Sequence, residues 1–139
     1  MKNQFSMQVE AKLQNEAFIR TTVANFILPL NPTVAEINDV KTAVSEAVTN
    51  AIVHGYSNNG GIIFVECSYN DNIAKVIIKD NGVGIVDIKK AMEPFYTTKA
   101  DQERSGMGFT LMETFMDEIE VCNNQQGGLC VSMTKAIVG

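Results

Sequence analysis

The sequence predicts an α+β fold, a mostly antiparallel sheet with helices layered on one face. Three observations carry that expectation. Apolar residues switch between a period of two and a helical period in the order β-α-α-β-β-α-β-β. Two adjacent strand-like runs, Ile62 to Tyr69 and Ile73 to Lys79, are separated only by the polar turn Asn70-Asp71-Asn72. The C-terminal part, after a third helical stretch, returns to two further strand-like runs, and runs of this kind form sheets covered by helices on one side.

Taken in order, Met7, Val9 and Ala11 alternate with Gln8, Glu10 and Lys12, which predicts a half-buried strand over Ser6 to Lys12. Asn15 then caps a helix whose apolar positions are Phe18, Ile19, Val23, Phe26 and Ile27, and which ends before Pro29 and Pro32. Thr33, with Glu36 three residues on, is the start signal of a second, longer helix. Its buried stripe is Val34, Ile37, Val40, Val44, Val48 and Ile52, and it stops at Gly55. Tyr56 to Gly61 is turn-rich and leads into the hairpin. Asp80 to Gly84 closes the second hairpin strand in a glycine loop, Val86 to Met92 reads as a short helix, and Glu93 to Gly108 as a polar, mobile lid. Phe109, Leu111, Met112, Phe115 and Met116 resume helical spacing. Ile119 and Val121 start a strand, and Gln126-Gly127-Gly128 turns into a last one over Leu129 to Ile137.

A length of 139 residues predicts one domain, residues 1–139. With 45% hydrophobic and 19% charged residues the composition is that of a globular protein, and no apolar run approaches the roughly 20 residues needed to cross a bilayer. Met1 to Ser6 lacks the apolar segment of a secretory signal, so a cytoplasmic location is expected. A net charge of -5 without a Lys/Arg cluster gives no footprint for nucleic acid, leaving proteins or nucleotides as expected partners. Cys67, Cys122 and Cys130 are odd in number and lack C-x-x-C spacing, which predicts reduced, partly buried thiols and neither a disulfide framework nor a zinc site.

Glu46 and Asn50 are four apart on the second helix, so a carboxylate and an amide oxygen share one face and converge on one small volume. A side-chain carbonyl is a suitable hard ligand for Mg²⁺ shared with nucleotide phosphates, and such a role explains an Asn in a helix interior. Asp80, at a strand end beside Gly82 and Gly84, can accept a hydrogen bond from an exocyclic amine where the glycines let a planar ring such as adenine approach the backbone. Thr97, Thr98, Lys99, Arg104, Ser105, Gly106 and Gly108 place hydroxyls, cations and free backbone just before a helix start, which suits phosphates. Arg20 interrupts an otherwise uncharged run from Ala17 to Leu30; it is either a snorkelling surface residue or a partner-binding anchor. His54 is the only histidine and lies one turn beyond Asn50, with no proton-transfer role assigned to it.

In this order the three boxes resemble the N, G1 and G2 motifs of the Bergerat (GHKL) ATP-binding fold shared by gyrase, histidine kinases and MutL. Within it, Ser45-Glu46-Ala47-Val48-Thr49-Asn50-Ala51, His54-Gly55-Tyr56, and Thr97-Thr98-Lys99 through Arg104-Ser105-Gly106-Met107-Gly108-Phe109 are similar to the bacterial anti-sigma serine kinases. The segment Met112-Glu113 with Phe115-Met116-Asp117 points to the sporulation branch of that family. The resemblance implies a homodimer that binds and silences the sporulation sigma factor F, and a serine kinase that uses Mg-ATP to phosphorylate a small anti-anti-sigma protein. It implies Glu46 as general base, Asn50 as the Mg²⁺ ligand and Asp80 as the reader of the adenine amine. Gly82 and Gly84 would shape the pocket, and Thr97 to Phe109, with Lys99 and Met107, would surround the phosphates, Arg104 neutralising charge. His54 joins this nucleotide-binding set. Leu129 departs from the family, which usually has threonine after the late glycine pair; a hydroxyl contact worth on the order of 1 kcal/mol is expected to be missing. A general-stress anti-sigma serine kinase and a nucleotide-dependent binding module with little kinase activity stand as alternatives. A separate histidine-bearing hairpin, as in histidine kinases, and the extra domain of a gyrase- or MutL-type clamp are not expected.

Overall fold

The computed structural model describes residues 1–85, 92, 108–125 and 127–139. Its elements are β1 (Lys2–Glu10), α1 (Glu16–Phe26), α2 (Val34–Asn50), β2 (Ile62–Asn70), β3 (Ile73–Lys79), α3 (Gly108–Phe115), β4 (Glu118–Asn123) and β5 (Leu129–Ala136). Every strand pairing is antiparallel and the spatial order is β1-β2-β3-β5-β4. The β2–β3 hairpin closes through Asp71, which takes the left-handed conformation at φ 53° that Asp tolerates better than most residues.

One face of the sheet is apolar because the strands alternate. Ile63, Val65, Cys67 and Tyr69 of β2, Ala74, Val76 and Ile78 of β3, and Leu129, Val131 and Met133 of β5 are buried, while their neighbours face the other way. The helices cover this face. α2 packs against both α1 and α3 and lays Val40, Ala43, Val44, Ala47 and Val48 into the core, beside Ile19 and Val23 of α1 and Phe109 and Met112 of α3. Each fully buried Val, Ile or Met contributes on the order of 1.5–3 kcal/mol relative to exposure.

α2 starts as its sequence directs. Glu36 N–H donates to Thr33 Oγ1 at 3.0 Å and Thr33 N–H donates to Glu36 Oε1 at 2.9 Å, a reciprocal capping box. Glu36 also accepts from the backbone N–H groups of Val138 and Gly139, at 2.7 and 3.1 Å, which ties the C-terminal residues to this helix start. After Asn50 the chain continues without a break into a π-type turn, Ala51–Gly55, so the helical segment does end at Gly55, but with a wider last turn than the periodicity shows.

Four local expectations differ from the structure. β1 runs from Lys2 to Glu10 rather than from Ser6, because it pairs along its whole length with β2 and leaves Ala11 buried just beyond it. Asn15 makes no side-chain cap; a short 3-10 turn over Leu13–Asn15 already places it in helical backbone, and its amide donates back to Glu10 O at 3.0 Å. Phe18 is 56% exposed, since the buried line of α1 passes through Ile19 and Val23 on another face. Val34 is 75% exposed because it occupies the first turn of α2, where even Ile37 is only half-buried. The expected short helix over 86–92 and the lid over 93–108 lie outside the described residues, apart from Met92, which is half-buried against the core, and Gly108, which opens α3. Among the described residues no helix is long and apolar enough to cross a membrane.

Candidate functional site

Asp80 follows the last residue of β3 and is 3% exposed, the one buried charged residue among those described. Its backbone N–H donates to Leu129 O at 3.0 Å, extending the β3–β5 pairing by one residue. Its carboxylate Oδ1 accepts from Gly82 N–H at 2.9 Å and from Leu129 N–H at 3.3 Å. Burial pushes the Asp80 carboxyl above its ordinary value, and these two backbone donors pull it part of the way back. Oδ2 has no hydrogen-bond partner among the described residues. A buried carboxylate with one oxygen held and the other available is an acceptor set for a donor group of a ligand.

Three separated segments meet around it backbone to backbone, and glycine makes the approach possible. A Cβ on Gly82 would lie 1.9 Å from Gly55 O, whose carbonyl accepts from Val83 N–H at 3.0 Å. A Cβ on Gly128, which also has φ 83°, would lie 2.1 Å from Asp80 O. On Gly55 it would meet the Asp80 carboxylate at 2.9 Å. The end of the long helix, the Asp-Asn-Gly loop and the turn before β5 are thus one junction with the carboxylate at its centre.

Side chains that the sequence did not flag fix this junction. Tyr56 Oη donates to Ile62 O at 2.6 Å and accepts from Asn81 N–H at 2.7 Å, joining the start of β2 to the loop. Asn123 grips Ile85 twice, accepting from its N–H at 3.0 Å and donating to its carbonyl at 2.9 Å. Asn124 Nδ2 donates to Asp80 O at 3.3 Å and to Asn81 Oδ1 at 3.2 Å. Tyr56 stood in the His54-Gly55-Tyr56 motif without a role of its own, and the signal for Asn123 and Asn124 was polar, turn-rich context, which does not distinguish a clamp from a solvated turn.

Glu46 and Asn50 are both half-buried on α2, and His54 is half-buried in the π-type turn that leads to Gly55. Glu46 lines a shallow groove between α1 and α2 together with Arg20, Asn38, Lys41, Thr42 and Ser45. Arg20 is ion-paired with Glu16 one helical turn earlier. The structure therefore brings Arg20 and Glu46 to one groove, and Asp80, Gly82 and Leu129 to one junction at the far end of the same helix. Gly84, at φ 71°, packs against Asn123 and Gly128. Phe109 is buried in the core, so what it can offer a ligand is its backbone. Thr97, Thr98, Lys99, Arg104, Ser105, Gly106 and Met107 lie outside the described residues. The side chain of Leu129 is likewise in the core, while its N–H holds Asp80; the backbone contact at this position persists without a hydroxyl.

The profile of the histidine kinase-like ATPase domain family matches residues 9–135. Proteins named anti-sigma F factor from Bacillus cereus (strain G9842), Bacillus thuringiensis (strain Al Hakam) and Bacillus mycoides (strain KBAB4) are each 48% identical over 136 residues, covering 97% of this chain and 93% of theirs. An ATPase domain of this kind is a nucleotide-binding one, in agreement with the glycine junction around Asp80. The chain belongs to the histidine kinase-like ATPase family, in the group that includes the anti-sigma F factors.

Proposed function

We propose that this protein is an anti-sigma factor that binds and silences the sporulation sigma factor F, and that it phosphorylates a serine of the anti-anti-sigma protein with Mg-ATP. The observation that carries this reading is the 48% identity, over 97% of the chain, to proteins named for action on sigma F. That name favours the sporulation reading over a general-stress counterpart. The protein works as one domain over residues 1–139 and as a homodimer in the cytoplasm.

The residues fit the nucleotide. Asp80 presents from a buried position a carboxylate oxygen that accepts no hydrogen bond from the described residues to the adenine amine, and Gly82 and Gly84 bring no side chain to the wall of that pocket. Asn50 offers a neutral oxygen to Mg²⁺, which when bound offsets charge on the phosphates. Thr97, Thr98, Lys99, Arg104, Ser105, Gly106 and Met107, with the backbone of Gly108 and Phe109 and with His54, hold the phosphate end. Glu46 orients the acceptor serine and takes its hydroxyl proton as the serine oxygen bonds to the γ-phosphorus of ATP, whose bond to the β,γ-bridging oxygen breaks and releases ADP. Arg20 anchors the protein partner; its place in the same groove as Glu46 supports docking beside the base.

The test is capture of purified sigma F by the immobilised protein with and without Mg-ATP. Nucleotide-dependent capture, weakened by Arg20→Ala, is expected. Equal failure to capture sigma F under both conditions would refute the anti-sigma reading.

A further inference from the structure

Two of the three cysteines, read from the sequence as reduced, partly buried thiols, stand directly opposite one another on β4 and β5. Cys122 pairs with Cys130 in the register of that ladder, and both side chains lie on the sheet face away from the helices. Asn124 N–H donates to Gly128 O two residues along the same ladder. Hydrogen-bonded pairs recur at every second residue, so Cys122 and Cys130 are again such a pair, with a usual Cα separation of about 5.5 Å. That is inside the window of roughly 4.4–6.8 Å that a disulfide requires. Cys122 is exposed and Cys130 half-buried, and both are free thiols.

The surroundings separate this pair from the third cysteine. Burial, then the neighbouring Cys122, raise the Cys130 thiol above its ordinary value, and the ammonium of Lys79, which pairs with Cys130 from the β3 side, offsets only part of that rise. Lys79 is also salt-bridged to Glu66 at 2.6 Å. Cys67 is buried in the core, its thiol pushed up to about 12 by desolvation, so it does not compete as a nucleophile.

We propose that Cys122 and Cys130 are a thiol–disulfide modification site that closes on reaction with a low-molecular-weight disulfide and thereby weakens nucleotide binding. The Cys122 thiolate attacks one sulfur of the small disulfide, whose S–S bond breaks and releases one small thiolate. Cys130 then attacks the Cys122 sulfur of the mixed disulfide and expels the second small thiolate. The two protein sulfurs are oxidised, the two small-molecule sulfurs are reduced, and the two protons lost by the cysteines go to the two leaving thiolates.

The effect on nucleotide binding rests on the proposed nucleotide site at Asp80. Residues opposite one another on antiparallel strands have Cβ atoms about 4.5–5.5 Å apart, wider in hydrogen-bonded pairs, whereas a disulfide holds them at about 3.8 Å. Closure therefore twists the end of the β4–β5 ladder. The next two residues are Asn123, which grips both backbone groups of Ile85, and Asn124, which holds Asp80 O and Asn81. Twist at Cys122 is carried straight into the loop that presents Asp80.

The experiment is treatment of the full chain with oxidised glutathione, followed by mass spectrometry with peptide mapping and by titration with ADP. The expected product has lost two hydrogens, carries a Cys122–Cys130 crosslink within one chain, and binds ADP several-fold more weakly than the reduced protein. Dithiothreitol restores the affinity. Cys122→Ser and Cys130→Ser remove the response and Cys67→Ser keeps it. A stable glutathione adduct without the internal crosslink, a crosslink between chains, or an internal crosslink with unchanged ADP affinity would each overturn the proposal. If the reduced protein fails to bind ADP, the nucleotide reading falls and the effect on affinity with it, while the mapped crosslink is decided by the mass spectrum alone.

Discussion

Gly82→Ala tests whether the glycine junction is a physical constraint. Gly82 does not have positive φ, so alanine suits its backbone conformation and the cost comes from space alone. The added Cβ would stand 1.9 Å from Gly55 O and 2.3 Å from Gly55 C, atoms that cannot swing aside as a flexible side chain can. Separating the two segments breaks the Val83 to Gly55 hydrogen bond at 3.0 Å. Overpacking of this kind costs about 1–3 kcal/mol and the lost bond about 1 kcal/mol. Reduced freedom of the unfolded chain returns about 0.4–1 kcal/mol, leaving a net loss of about 1–3.5 kcal/mol. For a chain of this size that is a fall in Tm of about 3–15 °C. The comparison is Gly60→Ala, where no atom lies within 4 Å and only the positive φ of 86° is strained, at about 1 kcal/mol. Thermal unfolding followed by circular dichroism gives both values. A Gly82→Ala variant no less stable than Gly60→Ala would refute the close packing of the two segments.

Asp80→Asn keeps an oxygen for Gly82 and Leu129 but replaces the free acceptor with a donor, so ADP affinity is expected to fall at least about tenfold by calorimetry. Because burial raises the Asp80 carboxyl above 3.8, the ionised form weighs against folding increasingly as pH rises from 3.8 through the raised value; the variant should be at least as stable as the parent at neutral pH in urea unfolding. Tyr56→Phe removes the bridge between Ile62 O and Asn81 N–H and should cost about 1–2 kcal/mol in the same assay, with weaker ADP binding. Glu36 is held below 4.5 chiefly by its Thr33 hydrogen bond and then by Val138, so its contribution is present above 4.5 and lost as pH falls through the lowered value. Glu36→Gln should flatten that acid limb in urea midpoints measured across pH, with a loss at neutral pH of under about 1 kcal/mol because Glu36 is largely solvated.

Much of the fold was legible because its signals are local and mutually consistent. Thr33 with Glu36 started a helix, Val40, Val44 and Val48 gave its buried face, and Asn70-Asp71-Asn72 closed a hairpin between two alternating runs. Phe18 and Val34 were misplaced because periodicity names a stripe without saying where a neighbour stops covering it. Asp80 was recognised by its glycines, but its support was not. Tyr56, Asn123 and Asn124 reach the loop from Asp80 to Ile85 across 25 to 44 residues of sequence, and no local pattern encodes such a meeting. The same holds for Cys122 and Cys130, whose seven intervening residues concealed a direct cross-strand register. The π-type turn at Ala51–Gly55 was invisible because the apolar stripe continues through it to Ile52.

The most direct measurement is incubation of the parent chain and Glu46→Gln with labelled Mg-ATP and the anti-anti-sigma protein, following label into protein and into free phosphate. The expected result is label on a serine of the partner with the parent chain, and none with Glu46→Gln, which still binds ADP and sigma F. Label released only as phosphate by the parent, or near-normal transfer by Glu46→Gln, would contradict a serine kinase that uses Glu46 as its base.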